Sequence, residues 1–414
     1  MKKYFELIVL ISVLCVIAVS KASQQKEVPY VIMVSIDGFR HDYVEKFDTP
    51  HLKAFIKEGA AAEYMLPSFP SKTFPNHYSL VTGLYPGNHG LVDNNFYDPQ
   101  TDLSYSTRNR KSVENPDFYG GLPLWQLAQK AGLKSASYFW VGSEAPVAGS
   151  FPDYYHIYDG KVPNEDRVEA ALDWLALPDA ERPHFITLYF SLVDSQGHST
   201  GPDDAKTGET VKEADRLIGL LMQGLKDIDL PVNVIVTSDH GMNPVPETRE
   251  NLVTTQSILS GTDEDLFRFS NSGTHAHFYL HDHADEEAVF QSLTQKEGPY
   301  TIYKKSDFPA EWHYQNQRVG DIFLSMNAGH YLTTSMRKKM MLIRGRTQGQ
   351  HGYAPYTTEN MRTIFYAQGP QIKEGITVAP FENVDIYPLV AALLDIQELP
   401  EIDGDLKSLE SIIK

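Results

Sequence analysis

The chain has 414 residues, 42% apolar and 22% charged, with a formal net charge of -18 and a single cysteine. That length gives ample core for one large domain or two ordinary ones, and the composition excludes a disordered chain. The acidic balance excludes broad docking onto DNA or RNA, which needs clustered Lys and Arg against phosphates, so no polymeric nucleic acid is expected as a partner. A small anionic substrate held by metal ions stays open.

Residues 1–22 begin Met1-Lys2-Lys3, continue in an apolar stretch over 7–19, and reach Ser20-Lys21-Ala22 before Ser23. A positive start, a short apolar run and small residues at the cleavage position read as a secretory signal peptide. The run is short for a bilayer span, which counts against a permanent anchor. Cys15 lies inside it, and Ser12, Val13 and Leu14 lack the small residue that a lipoprotein site would want. Removal of the segment predicts a mature chain without disulfides and without stable membrane insertion. That suits a bacterial periplasm or cell surface better than an animal extracellular space.

Residues 30–36 form an apolar, β-branched run that ends at Asp37-Gly38, a buried strand delivering a carboxylate at its C-terminal end. Ser71-Lys72-Thr73-Phe74-Pro75-Asn76-His77 opens a helix with Pro75 in its first turn. A hydroxyl there sits among unpaired backbone N–H groups, which can hold a phosphate oxygen. From this segment alone, Thr73 reads equally well as an N-cap. Helical periodicity follows at 124–131 and 168–175, then a strand at 184–193 leading to Asp194. A helix over 211–225 carries apolar residues at Val211, Ala214, Ile218, Leu221 and Leu225, and a strand at 232–237 ends in Ser238-Asp239-His240. Strands alternating with helices predict an α/β fold, a mostly parallel sheet covered on both faces. Ligands in such folds collect beyond the carboxyl ends of the strands, where these acids fall.

After His240 the texture changes. Strands are predicted at 275–280, 300–304 and 319–325 with a helix at 285–293, giving a small α+β insertion or cap over about residues 245–350. The main sheet resumes at 361–367, and a helix over 384–394 has Asn383 as its predicted N-cap. One elaborated domain over 27–414 accounts for these elements better than two independent ones.

Asp194-x-x-x-His198 places a carboxylate and an imidazole one helical turn apart, so that both reach one ion. Asp239-His240 follows a buried strand directly, and Asp37 ends a third. Each pair alone also suits capping or surface residues; together with Thr73 and His351 they have the makeup of a two-zinc phosphoryl-transfer centre. Arg40, Lys72 and Glu144 read as solvated charges, and His275, His277, His281 and His283 as exposed histidines of the cap.

The ordered motifs resemble the nucleotide pyrophosphatase/phosphodiesterase family of the alkaline phosphatase superfamily. They are Asp37-Gly38-Phe39-Arg40, Lys72-Thr73-Phe74-Pro75-Asn76-His77-Tyr78, Thr82-Gly83-Leu84-Tyr85-Pro86, Trp140-Val141-Gly142-Ser143-Glu144 and Arg182-Pro183-His184-Phe185. With them go Asp194-Ser195-Gln196-Gly197-His198, Ser238-Asp239-His240-Gly241-Met242, Gly349-Gln350-His351-Gly352-Tyr353 and Pro380-Phe381-Glu382-Asn383-Val384. The resemblance implies an alkaline-phosphatase-like central sheet flanked by helices, and two zinc ions. Asp194, His198 and His351 would hold one; Asp37, Thr73, Asp239 and His240 would hold the other. It further implies Thr73 as nucleophile, with Asn94 and the backbone N–H of Phe74 steadying the phosphoryl oxygens. The somatomedin-like modules and trailing nuclease-like domain of animal members are absent from the sequence, so the likeness is to a stand-alone bacterial catalytic domain.

Phe74 adjoins Thr73, and Trp140 and Tyr158 fall where nucleotide-hydrolysing relatives supply aromatics for stacking a base. Core packing is the competing reading for Trp140 and Tyr158. The expected reaction cleaves a nucleotide phosphodiester or pyrophosphate, releasing a nucleoside 5′-monophosphate. A lipid or choline phosphodiesterase keeps the metals and changes the substrate. A phosphomonoesterase would need further cationic groups, and a binding protein that has lost catalysis would not need the nucleophile and every ligand together.

Overall fold

The computed structural model describes residues 28–414; the expected signal peptide over 1–22 and Cys15 lie outside them. The chain enters on β1 (Tyr30–Ile36) and passes α1 (Pro50–Lys57), β2 (Ala60–Ala62), α2 (Thr73–Thr82), α3 (Leu124–Lys130), β3 (Lys134–Tyr138), β4 (Tyr154–His156) and α4 (Asn164–Leu175). It continues through β5 (Pro183–Phe190), α5 (Leu192–Thr200), α6 (Ala205–Leu225) and β6 (Val232–Thr237).

An excursion follows, through β7 (Asn243–Pro246), β8 (Phe267–Asn271), β9 (His275–Leu280), α7 (Glu286–Thr294), β10 (Tyr300–Lys304), β11 (Ile322–Met326), α8 (Ser335–Arg344) and β12 (Thr347–Gln350). β13 (Phe365–Gln368), β14 (Ile376–Val378) and α9 (Ile386–Leu393) return to the main body.

The central sheet runs β14-β2-β13-β6-β1-β5-β3-β4. Every pairing is parallel except those of β13, which runs against both of its neighbours. Along β1, Val31 and Met33 bury one face while Ile32 and Val34 bury the other. A strand sandwiched between two layers loses all exposed positions, which is why its sequence reads as an unbroken apolar run. On one face lie α2, α3 and α9. α1, α4 and α6 cover the other, the last through Val211, Ala214, Leu217, Ile218 and Leu221.

The excursion builds its own antiparallel sheet, β8-β9-β11-β10, around a third core containing Ala276, Phe278, Ile322 and Leu324. Two local expectations change. The strand predicted over 184–193 stops at Phe190, and Asp194 lies in the first turn of α5. Asn383 makes no cap: it sits in a 3-10 turn before α9, and its amide bonds Ser68 and Asn76 across the fold.

Candidate metal centre and active site

β6, β1 and β5 are adjacent, and their registers align Ser35 with Thr237 and Ile36 with Phe190. Their C-terminal ends therefore release the chain at one edge. Asp37 leaves β1 with its N–H on Phe190 O at 2.9 Å, and Asp194 returns its N–H to Asp37 O at 3.0 Å. Gly38 makes this contact feasible: at φ +70°, an added Cβ would lie 2.9 Å from Asp194 Cα. The Gly38 N–H reaches Asp239 Oδ1 at 3.2 Å, tying the third strand end to the first.

Five of the seven proposed zinc-site residues meet as two groups of close ligand atoms that share His240, Asp37, Asp239 and His240 in one and Asp194, His240 and His351 in the other. Thr73 is the first residue of α2, with Lys72 at the capping position, and its Oγ1 lies 3.1 Å from His240 Nε2. His240 Nε2 is 3.4 Å from Asp37 Oδ1 and 3.0 Å from Asp239 Oδ2. His198, from the second turn of α5, brings Nε2 to 3.3 Å from Asp194 Oδ1 and 3.2 Å from His351 Nε2.

Whether these groups fit a metal can be read from their protons. Nδ1 of His240, His198 and His351 lies 2.8, 2.8 and 2.9 Å from the carbonyl oxygens of Gly241, Gly349 and Ser71. A carbonyl only accepts, so each neutral ring carries its proton on Nδ1 and turns the Nε2 lone pair inward. Buried Asp37 Oδ1, Asp194 Oδ1 and Asp239 Oδ2 have no hydrogen bond of their own. Lone pairs facing lone pairs and three carboxylates at one sheet edge demand cationic charge, and N/O donors of this kind suit zinc. Burial and then the charges of Asp239 and Asp194 push Asp37 well above the usual carboxylate range. Asp239 is also buried, yet His240 and His77 hold it well below.

The neighbours orient the donors. Tyr189 donates its hydroxyl to Asp37 Oδ2 at 2.6 Å, which leaves Oδ1 for the centre. His77, one helical turn beyond Thr73, spans Thr73 O at 2.9 Å, Asp239 Oδ2 at 3.3 Å and Ser35 Oγ at 2.8 Å. Asn94 accepts the Phe74 N–H on Oδ1 at 2.9 Å, which fixes the amide and leaves the Nδ2 hydrogens to donate beside Thr73.

A cavity of about 240 Å³ opens from Thr73, lined by Phe74, Arg110, Phe139, Glu144 and Tyr158 among others. Trp140 also borders it but is 1% exposed and donates its indole N–H to His77 O at 2.9 Å, so it backs the wall. Tyr158 is 43% exposed, with its ring edge-on to Phe139.

The three charges read as solvated are instead buried. Glu144 accepts the Tyr158 N–H at 2.9 Å and pairs with Arg110; Arg40 pairs with Asp42 and Asp203. Lys72 donates to Ser272 O at 3.1 Å and His351 O at 2.9 Å. His275 and His277 are likewise fully buried, against Asp93. His77, Tyr189, Asp93, Arg110 and Phe139 escaped the sequence reading; a buried-type His one turn after Thr73 was the one local signal available.

A mostly parallel sheet whose edge gathers two candidate metal-binding groups beside a hydroxyl at a helix start is the arrangement of a phosphodiesterase. The chain belongs to the type I phosphodiesterase/nucleotide pyrophosphatase family, whose pattern it matches over residues 31–354.

Among curated relatives, venom phosphodiesterase CdcPDE of Crotalus durissus collilineatus is 35% identical over 93% of this chain and 46% of its own length. Human ectonucleotide pyrophosphatase/phosphodiesterase family member 1 is 34% identical over 94% and 42%. The chain thus spans about half the length of the curated relatives it matches. Among solved structures, murine ectonucleotide pyrophosphatase/phosphodiesterase 5 superposes with a TM-score of 0.85 at 31% identity, covering 93% of this chain and 100% of that one. A further structure of that protein is described as an inactive threonine-to-alanine form in complex with AMP.

Proposed function

We propose that this chain hydrolyses nucleotide phosphodiester or pyrophosphate bonds with zinc, through a covalent Thr73 intermediate, releasing nucleoside 5′-monophosphates. The observation that carries the reading is Thr73 Oγ1 at the start of α2, 3.1 Å from the ring nitrogen of His240 that belongs to both ligand groups. Asp194, His198 and His351 would hold one ion and Asp37, Thr73, Asp239 and His240 the other; when bound, the two supply charge that lowers the hydroxyl's pKa and offsets that on phosphorus.

The chain's own residues do the remainder. The α2 N-terminus, where the helix dipole favours negative charge, carries the hydroxyl; the Phe74 N–H expected to steady a phosphoryl oxygen is instead bonded to Asn94 Oδ1, and the Asn76 N–H to Lys72 O. Thr73 Oγ forms the new P–O bond as the bond to the leaving group breaks, and water then attacks phosphorus and returns the threonine oxygen. Nδ2 of Asn94 donates to a phosphoryl oxygen, a contact that strengthens as charge develops. Phe74 and Tyr158 hold the base by stacking, with Trp140 as the wall behind them. The AMP complex of the murine relative supports a nucleotide in this slot, and its inactive threonine-to-alanine form supports Thr73 as nucleophile.

Among the described residues that line the cavity the one carboxylate, Glu144, is already paired with Arg110 and the Tyr158 N–H, so a choline group would have only the aromatic faces to receive it. Export, inferred from residues 1–22, accords with relatives named as ectoenzymes and venom components. Among the described residues no helix is long and apolar enough to cross a membrane. The test compares turnover of a thymidine monophosphate nitrophenyl ester with that of nitrophenyl phosphocholine and identifies the products. Faster turnover of the choline ester sinks the nucleotide assignment.

A further inference from the structure

We propose that Asp93, His275 and His277 are positioning residues that hold Asn94 in register with Thr73, so that the antiparallel insertion takes part in catalysis through Asn94. The proposal rests on the reading of Thr73 and Asn94 given above. Asp93 takes the Asn94 backbone N–H on Oδ1 at 2.7 Å. Its Oδ2 faces His275 Nε2 at 3.1 Å and His277 Nε2 at 3.6 Å and accepts the Ser272 hydroxyl. All three cluster residues are fully buried.

The three side chains are close enough to suggest a metal site. The tautomer of His277 argues against one. Its Nδ1 accepts the Gly320 N–H at 3.2 Å, so the proton of the neutral ring is on Nε2, which lies 3.6 Å from Asp93 Oδ2, beyond hydrogen-bond distance. Burial holds His275 down at about 4 as a neutral ring, and its Nε2 donates to Asp93 Oδ2 at 3.1 Å. Asp93 is therefore a carboxylate held by three donors, the Asn94 N–H, the Ser272 hydroxyl and His275 Nε2, with the His277 ring packed beside it, which suits orienting its neighbour in sequence. The same insertion reaches the start of the nucleophile's helix, where Lys72 donates to Ser272 O, and the proposed ligand His351, whose carbonyl accepts from Thr274 Oγ1 at 3.1 Å.

The test is a double-mutant cycle on the full chain with the thymidine ester. Asp93→Asn should lower kcat about 10- to 100-fold, as a misplaced group does, with KM nearly unchanged. In the Asn94→Ala background it should cost less than about twofold more. Equal losses in both backgrounds, or an unchanged kcat, overturn the proposal. Ser272→Ala provides a milder entry to the same cycle if Asp93→Asn does not fold. An inactive wild type sinks the nucleotide reading alone. In that case the crystal structure of Asp93→Asn decides: loss of the Phe74 N to Asn94 Oδ1 bond supports positioning, and its retention refutes it.

A second inference stands on a different surface. Met336, Met340 and Ile343 of α8 are 73%, 62% and 86% exposed. At about 100° per residue they form one stripe, flanked by Lys339 on one side and Arg337 on the other. The segment 335–346 holds five cations and no acid in a chain of net charge -18. Arg344 and Arg346 share Glu247, and Lys338 is spent on backbone carbonyls, which leaves Arg337 and Lys339 beside the stripe. The geometry points to docking of α8 on an anionic lipid surface, with the stripe in the acyl boundary and the cations at the headgroups.

Sedimentation with phosphatidylcholine vesicles, with and without phosphatidylglycerol, tests it on the full chain and on variants sharing its N-terminal segment, so that the segment's own contribution cancels. Wild type should bind the anionic vesicles several-fold more, and Met340→Ser/Ile343→Ser and Arg337→Glu/Lys339→Glu should each remove that excess. No excess, or an excess lost only with the charge reversal, refutes insertion. A dimer in light scattering that Ile343→Ser dissolves assigns the stripe to a second copy instead.

Discussion

Tyr189→Phe isolates one hydrogen bond to a proposed zinc ligand. The phenol donates to Asp37 Oδ2 at 2.6 Å from a buried position, and burial and then Asp37 push its own pKa far up, so it remains a donor throughout the working range. Phenylalanine keeps the ring and leaves a carboxylate already pressed toward its neutral form with one donor fewer. A hydrogen bond to a charged group contributes about 1.5–3 kcal/mol. Removing a partner that orients a metal ligand typically costs about 10- to 100-fold in affinity, or about 1.4–2.7 kcal/mol, and the two estimates coincide. Competition against a chromophoric chelator should thus show zinc binding weakened about 10- to 100-fold, with kcat restored near wild type at saturating zinc. A folded Tyr189→Phe protein with zinc affinity within about twofold of wild type would refute the role given to this bond.

Thr73→Ala should abolish turnover while zinc content stays nearly intact, and mass analysis of acid-quenched wild type should find a nucleoside monophosphate esterified to Thr73 that the variant lacks. Asn94→Ala removes the donor to the phosphoryl oxygen and should lower kcat by about 10²- to 10³-fold, read in steady-state kinetics. Tyr158→Ala, at an exposed position, should weaken nucleotide binding by about 1–3 kcal/mol, measured as a raised KM or AMP inhibition constant with kcat little changed. Incubation with a zinc chelator should silence the enzyme, and added zinc should restore it; activity that survives verified removal of metal counts against the ligand assignment.

Where the strands run and where the acids sit could be read from the sequence because burial on both faces leaves unbroken apolar runs, and Asp37 and Asp239 follow them closely. Asp194 differs by one local detail: the strand stops at Phe190 and the carboxylate rides on the first turn of α5, a difference that apolar continuity through Leu192 and Val193 conceals. The supporting residues were hidden for a different reason. Tyr189 and Asp37 are far apart in sequence, as are Asp93 and His275, and no periodicity encodes a contact made by strand order. Lys72, Arg40 and Glu144 carry charge, which ordinarily means solvent; their burial depends on carbonyls and counter-ions supplied by remote segments. Asn383 looked like a cap because of its neighbours in sequence, while its partners Ser68 and Asn76 come from the opposite end of the chain.

The sheet order has a consequence for biosynthesis. The Gly38 N–H meets Asp239, and the Nδ1 of His351 meets Ser71 O, so the edge closes contacts between residues 201 and 280 positions apart. Such closures cost loop entropy before they repay it, and the last of the proposed ligands leaves the ribosome after the insertion has been made. A nascent or truncated chain ending before His351 cannot assemble the two ligand groups together. Hydrolytic capacity would arrive only with the finished fold.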